Sequence, residues 1–487
     1  MIHEETQKTP VVREIPPKSR DLSEWYLAVC IKAELVSYAP VRGCIVLRPY
    51  GFGIWERLQA ALDTRFKATG HENAYFPLLI PESLLTREAE HVEGFAPEVA
   101  WVTHGGNEKL TERLAIRPTS EVIIGTMYAE WVQSYRDLPI LINQWVNVMR
   151  WEKRTRPFLR TAEFLWQEGH TAHASEREAQ EEAARMLEIY REVSEEVVAV
   201  PVHVGEKSAS ERFAGATHTY SIEGLMPDGR ALQAATSHEL GQNFSRAYGI
   251  EFAAEDQTQQ FAWTTSWGMS WRMIGAMIMV HGDDRGMRIP PLLAPIELVI
   301  VPIVRGDSPD VLAAAQRLFD EAKAAGLRVK LDDRDLRPGN KYADWEMRGV
   351  PLRLELGERD LAKGIVSLVR RDRAFKEDGQ RVEVAIDAAI GTVRPLLVEI
   401  QATLYAQART FLDEHTMVIE QREAFYDAVR DRAGMISIAW CGRPECEADV
   451  KERTGGTTRN TRTPALAERC VACGEPAHVQ AYFAQSY

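Results

Sequence analysis

The chain has 487 residues, 45% of them hydrophobic and 26% charged, with a formal net charge of -13 at pH 7. That length allows about two to four domains, each with its own core. The acidic balance excludes a bulk polycation, so any nucleic-acid contact must use a local basic surface.

The opening MIHEETQKTPVVREIPP is polar and does not read as a secretory signal. The most apolar stretches, such as IGAMIMV at 274–280, are too short to span a bilayer, so no membrane partner is expected. LSEWYLAVCIKAELV (22–36) has helical periodicity, and GFGIWERLQAALDTRFKATG (51–70) predicts an amphipathic helix stopped by Gly70. NAYFPLLIP then reads as a strand. WVTHGGNEKL predicts a hairpin turning at Gly105-Gly106. EVIIGTMYAEWV reads as a helix. LINQWVNVMRWE and LRTAEFLWQEGH predict a strand pair joined by a basic loop of Lys153, Arg154 and Arg156. A helix follows over 175–197, capped by Ser175. THTYSIEG and RALQAATSH are strands around the turn Pro227-Asp228-Gly229. This antiparallel pattern with interspersed helices is α+β.

Pro290, Pro291 and Pro295 mark a boundary. Beyond it come the strand IELVIVPIV, a helix capped by Ser308 with Pro309 at its first position, the strand LRVKLDD, a helix near 339–348, and the strands PLRLELG and GIVSLVRR. The alternation predicts a compact α/β domain with a mixed sheet. Its segment 328–376 holds 13 Lys/Arg against 9 Asp/Glu, a local excess of basic charge that by itself is commonly a solvated face. A long helical run over 386–415 leads into a small cysteine-bearing module.

Four of the six cysteines lie in that module. Cys441 and Cys446 have four residues between them, Cys470 and Cys473 two, and 23 separate the pairs. Two close pairs joined by a loop make a four-thiolate tetrahedral site, and structural zinc is favoured over a redox dithiol. Four thiolates leave no open position, so such a zinc is not catalytic. Cys30 and Cys44 stand apart as buried thiols, a usage that fits a reducing, cytoplasmic compartment.

Two arginine-bearing segments carry the chemistry: RWEKRTRPFLRTAEFLWQEGH (150–170) and SWGMSWRMIGAMIMVHGDDRG (266–286). An arginine on a strand and another opening an apolar helix can clamp a polyphosphate from two sides. A lone basic loop is usually a solvated turn; two arginine motifs in this order and context are not. The segments resemble motifs 2 and 3 of class II aminoacyl-tRNA synthetases, and the helix–strand unit around Pro77 resembles motif 1, which forms much of the dimer interface in that family. With RPTSE at 117–121, FLWQEGH at 164–170 and ATSHELGQNFS at 235–245, the chain resembles prolyl-tRNA synthetases of the archaeal/eukaryotic type, over residues 20–487.

The resemblance implies a class II antiparallel-sheet catalytic domain over 20–289 after an N-terminal extension (1–19). An α/β anticodon-binding domain over 290–390 and a small α/β zinc module over 391–487 follow. The implied reaction activates L-proline with ATP and Mg²⁺ and passes it to tRNA-Pro, in a homodimer. Arg150 would meet the α-phosphate and the proline carboxylate. Arg160 and Thr161 would belong to the ATP loop, and Arg272, with Ser270 beside it, would take the γ-phosphate. Gln233 and Thr236 would hold ATP phosphates, Gln233 also through magnesium. A secondary ammonium needs acceptors, one preferably anionic, which Thr119 and Glu121 supply from one face if the segment is extended; the same residues also read as a helix N-terminus. Trp166, Glu168, His170, Phe213 and His238 would wall the proline ring. Glu346 and Arg353 are candidates for reading anticodon guanines, or else a surface salt bridge. Tyr487 reads by default as a frayed end; the resemblance implies a carboxylate folded back toward the catalytic domain.

No GxxxxGK[ST], no GxGxxG after a strand, and no class I HIGH-like or KMSKS-like segment is present. A threonyl, seryl or histidyl synthetase would need a different pocket. A non-catalytic paralogue that binds tRNA or regulates would have no need of Arg150, Arg272, Thr119 and Glu121 together. The interval between motifs 2 and 3 is too short for the editing domain that bacterial-type relatives insert there.

Overall fold

In the computed structural model, residues 15–91, 99–152, 154–304 and 308–487 are described. Most of the expected extension 1–19, and Lys153 of the basic loop, lie outside the described residues. The first helix runs Leu22–Lys32, opened by Asp21, whose carboxylate accepts the N–H groups of Ser23 and Glu24. It stops short of the expected 36 because Glu34 takes a left-handed conformation (φ 59) and Val36–Tyr38 is a strand. The second helix, Pro49–Ala68, ends as expected before Gly70 at φ 89.

Residues 73–81, expected as one strand, are divided between two: Glu72–Asn73 and Leu79–Pro81, in different sheets. Pro77 has no N–H to donate, and side chains take the backbone groups beside it. The Phe76 N–H donates to Gln144 Oε1 at 3.1 Å, and the Phe76 carbonyl accepts from Arg117 Nη1 at 2.7 Å. The hairpin Trp101–Gly105 to Glu108–Ile116 forms with Gly106 at φ 62.

Contacts divide the chain into two compact units. Among the described residues, one comprises 15–37, 47–57 and 281–404; the other comprises 38–46, 58–280 and 405–487. The second unit is built on an eleven-stranded sheet. Its centre is antiparallel: His203–Glu206, His218–Leu225, Ala231–Gly241, Trp263–Ser270, Glu163–His173 and Ile140–Met149 follow one another in space. Strands Thr457–Arg462, Val479–Ala484, Met435–Trp440 and Thr416–Val418 extend the same sheet beyond His203–Glu206. The C-terminal module is thus continuous with the central antiparallel sheet.

Helix Glu176–Glu192 packs on that sheet, capped by Ser175 with Glu178 in a reciprocal capping box. Between them lies buried Trp267, its ring 5.0 Å from Phe66 and 6.4 Å from Tyr190. Gly169 stands opposite Trp267 in the ladder, and a Cβ there would lie 2.0 Å from the indole. The glycine of FLWQEGH is therefore a packing requirement.

The first unit carries a five-stranded mixed sheet, ordered Val329–Leu331, Leu298–Ile303, Leu352–Gly357, Ile365–Arg370, Arg381–Ala385. The first three are parallel and the rest antiparallel. Helix Pro309–Ala324 starts with proline and has Ser308 at its N-cap, both as expected; the Ser308 side chain accepts no helix N–H, and its hydroxyl donates to Glu358. Helices Pro338–Met347 and Ala389–Glu414 match the expected runs. The architecture is the expected α+β arrangement: a largely antiparallel sheet, an α/β domain with a mixed sheet, and an α/β C-terminal module.

Candidate active site

Strand alternation builds the site. Phe164, Trp166, Glu168 and His170 are spaced by two on Glu163–His173, so they share a face and line a cavity of about 270 Å³. Ser266, Gly268 and Ser270 do the same from Trp263–Ser270. Strict alternation on Ala231–Gly241 would send Gln233 to the opposite face from Thr236 and His238. The ladder pairs Ile222 with Ala235 and Glu223 with Gln233, leaving Ala234 as a bulge. The bulge resets the parity, and Gln233, Thr236 and His238 all face the cavity.

Thr119 and Glu121 also line it, both buried. Thr119 donates its hydroxyl to Glu121 Oε2. Glu121 is the first residue of helix Glu121–Trp131, so the two readings of RPTSE are one structure. Behind them the carboxylate of Glu168 accepts from Ser120 Oγ, from Gln144 Nε2 at 2.6 Å, and lies 3.1 Å from His170 Nε2. Burial alone would raise the Glu168 carboxyl. The His170, Ser120 and Gln144 bonds outweigh it and hold the group below its usual range. Burial opposes a charge on His170 too, yet Glu168 and Glu121 raise it above an ordinary histidine. The pair is ionic. His238 differs: burial, then His170 and Lys207, push it down to about 3, so its ring is neutral. It sits 3.0 Å from Thr219 Oγ1 and under the Phe213 ring, with centroids 4.6 Å apart.

Arg150 follows the strand Ile140–Met149. Its Nε donates to the Pro118 carbonyl at 3.1 Å, and its guanidinium lies over Phe164 and Trp166 at 5.4 and 5.5 Å. No carboxylate lies within ion-pair distance of Arg150 or of Arg272 among the described residues. Arg272 opens helix Arg272–His281. Its Nε donates to the Leu159 carbonyl at 3.2 Å and its Nη1 to that of Gln233 at 3.4 Å. Two guanidiniums held by neutral acceptors and facing one cavity make a site for an anion.

The structure thus brings Thr119, Glu121, Arg150, Trp166, Glu168, His170, Gln233, Thr236, His238, Ser270 and Arg272 to one cavity. Arg160 and Thr161 are not among its walls. Arg160 Nε donates to Glu152 at 2.8 Å, and the Thr161 hydroxyl is buried without a protein partner. Three groups were not singled out from the sequence: Lys207, Glu223 and Arg459. They are distant in the chain and lack a motif. The one signal is a carboxylate at Glu223 between Ile222 and Gly224-Leu225 in the half of the strand His218–Leu225 that is buried throughout.

Elsewhere in the same unit, Cys441, Cys446, Cys470 and Cys473 place their sulfurs within 4.8 Å of one another, Cys441 to Cys473 at 3.6 Å and Cys446 to Cys470 at 3.9 Å. Tetrahedral zinc thiolates with bonds of about 2.3 Å lie about 3.8 Å apart, so the donor set and spacing fit that ion. Tyr487 is not frayed. Its N–H donates to the Ala231 carbonyl at 3.2 Å and its hydroxyl to Asp228 at 2.8 Å. In the other unit Arg353 is buried and donates to Glu346 at 3.1 Å and Glu355 at 2.8 Å.

Known proteins agree with this geometry. Residues 101–281 match the family model described as the class II tRNA synthetase core domain (G, H, P, S and T), 297–396 an anticodon binding domain, and 422–487 the prolyl-tRNA synthetase C-terminal domain. A proline–tRNA ligase of Symbiobacterium thermophilum is 54% identical over 98% of this chain and 99% of its own. That of Rubrobacter xylanophilus is 54% identical over 98% and 100%. The crystal structure of prolyl-tRNA synthetase from Cryptosporidium parvum, complexed with halofuginone and AMPPNP, superposes with a TM-score of 0.92 at 39% identity, over 98% of this chain and all of that one. With its cavity arginines, its Thr119–Glu121 pair and all three domain types in order, this chain belongs to the prolyl-tRNA synthetase family.

Proposed function

We propose that the protein is a proline–tRNA ligase that activates L-proline with ATP to prolyl-adenylate and pyrophosphate, then transfers proline to the 3′ end of tRNA-Pro. The observation that carries this reading is the shared cavity: two guanidiniums without carboxylate partners face the same space as an anionic acceptor pair. Glu121 and Thr119 accept the proline ammonium. Arg150 spans the proline carboxylate and the α-phosphate, while Arg272, with Ser270, holds the γ-phosphate. Trp166, His170 and His238 wall the ring, and the saturated Glu168 fixes His170. Arg160 and Thr161 come from the loop that closes on ATP. No side chain acts as a nucleophile; the proline carboxylate attacks phosphorus, and fixed cations offset the charge that develops.

Gln233 and Thr236 face the phosphates. Gln233 offers an oxygen suited to Mg²⁺, an ion that supplies further charge neutralisation on the phosphates when bound and keeps mostly water and phosphate in its shell. The four cysteines hold a structural Zn²⁺. Glu346 and Arg353 read the anticodon after exchanging their mutual ion pair for base edges. The exposed Tyr75, Pro77 and Leu79, alternating with buried Phe76 and Ile80, supply apolar surface for a homodimer. No helix among the described residues is long and apolar enough to cross a membrane, consistent with work in the cytoplasm.

The test is pyrophosphate exchange into ATP, run with each of the twenty amino acids and no tRNA. Exchange with proline, and weaker exchange with alanine, is expected. Exchange only with another amino acid would overturn the pocket assignment.

A further inference from the structure

A buried charge cluster lies at the cavity wall where two parts of the chain meet. Glu223, on His218–Leu225, has no solvent exposure. Its Oε1 accepts from Lys207 Nζ at 2.7 Å, and both of its oxygens accept from Arg459 Nη2, at 3.0 and 3.2 Å. Ser221 adds a bond at 3.1 Å. The side chains of Lys207 and Arg459 are 2% and 5% exposed. Arg459 comes from strand Thr457–Arg462 of the C-terminal module, Lys207 from the segment after His203–Glu206.

Two buried cations share one buried carboxylate. An uncompensated buried charge is strongly unfavourable, so a site that retains one is shaped for a counter-charge. Glu211, partly exposed at the cavity, is the one further carboxylate that bears on Lys207, and Arg272 is a further cation bearing on Glu223; the local balance stays positive. Lys207 lines the cavity, and Glu223 is the sole acceptor for its ammonium among the described residues. An ammonium has three N–H donors, so two remain for a ligand. Glu223 also stands opposite Gln233 in the ladder, and Gln233 accepts from Arg272. The vacant donors therefore belong to the polyphosphate side of the site.

We propose that Lys207 is a third cationic contact for phosphate in this cavity, and that Arg459 is a positioning residue that shares the Glu223 carboxylate, so that Glu223 engages a single Lys207 N–H and the other two are left to bind. The inference rests on the ligase reading above. Two ligands share the chemistry, an anionic phosphate oxygen: the nucleotide with the pyrophosphate it releases, and the terminal phosphodiester of the tRNA. Arg459 thereby makes the C-terminal module part of the active site.

The experiment measures Michaelis constants for ATP, pyrophosphate, proline and tRNA in full-length wild type, Lys207→Met, Lys207→Arg, Arg459→Gln and Arg459→Lys. Lys207→Met is expected to raise KM for a phosphate-bearing substrate by roughly ten-fold or more, as for loss of a charged hydrogen bond, with a much smaller change for proline. Arg459→Gln should move the same constant in the same direction, and each conservative variant should recover part of it. A rise for ATP or pyrophosphate in tRNA-free exchange assigns the nucleotide; a rise confined to tRNA in transfer assigns the phosphodiester. If Lys207→Met melts earlier but keeps every KM, the cluster is only structural and the proposal fails. Should Lys207→Met not fold, unchanged constants in Arg459→Gln overturn it equally. Proline-dependent exchange by the wild type is the control: its absence would sink the ligase reading, not this inference alone.

Discussion

Thr119 and Glu121 are joined by a hydroxyl–carboxylate hydrogen bond at the first turn of helix Glu121–Trp131. That bond holds both acceptors toward one ligand. Glu121→Gln removes the charge while keeping the shape. A charge-assisted bond is worth about 1.5–3 kcal/mol, so KM for proline in pyrophosphate exchange should rise roughly ten- to hundred-fold, with KM for ATP little changed. An equal rise for both substrates would remove Glu121 from the proline subsite.

Arg150→Ala should abolish adenylate formation in a protein that still folds, because the guanidinium is held by a carbonyl and two ring faces and not by a buried ion pair. Loss of a preorganised charge on the reacting phosphate lowers turnover by about 10²-fold or more. Near-normal exchange with an unchanged circular dichroism spectrum would contradict the role.

Metal analysis of the purified protein should find one zinc per chain, and Cys470→Ser should lose it and melt earlier. The sulfurs already lie at tetrahedral spacing, so removing the ion leaves four thiols crowded in a buried site. Full metal content in Cys470→Ser would exclude it as a ligand.

Acid should destabilise the fold before the carboxylates titrate. Burial holds His173 and His203 down to about 4, and His238 to about 3. Unfolded, each takes a proton near pH 6.5. Between those values the unfolded chain binds more protons, so stability falls as pH falls from about 6.5 toward 4 and is independent of these groups above that window. His170, raised by its carboxylates, works the other way: its contribution is full below the unfolded value and fades as pH rises through the folded one. Replacing His203, which stacks on Tyr482 with centroids 4.4 Å apart, by Gln should reduce proton uptake on unfolding by about one in that window. Unchanged uptake would show that His203 is charged when folded.

The cavity should activate some alanine. A pocket sized for proline cannot strongly reject a smaller side chain, since one or two methylenes are worth about 1–3 kcal/mol. With no room for an editing domain between the two arginine motifs, Ala-tRNA-Pro should persist when incubated with the protein. Its rapid hydrolysis would reveal a deacylating site.

Much was legible in the chain itself because period and motif are local. The spacing of Phe164, Trp166, Glu168 and His170 declares a strand face. The apolar run after Arg272 declares a helix, and the paired cysteines declare a metal geometry. Local sequence also set the boundaries at Gly70 and Ser175. It misjudged residues 73–81 as one strand, where partners far along the chain compete for the same backbone groups, and it placed Ser308 correctly at a helix start without showing that its hydroxyl turns to Glu358.

What the sequence by itself determined is the class of chemistry: two arginine motifs, an acceptor pair and a four-thiolate cluster, each written within about twenty to thirty residues. What only the tertiary structure decided is how distant pieces share one space. The bulge at Ala234 turns Gln233 toward Thr236 and His238, against its sequence parity. The extension of the sheet through Thr457–Arg462 brings Arg459 onto Glu223. The reason is physical: side-chain direction follows from hydrogen-bond register, and a buried charge finds its partner by packing across the fold, neither of which is encoded in local spacing.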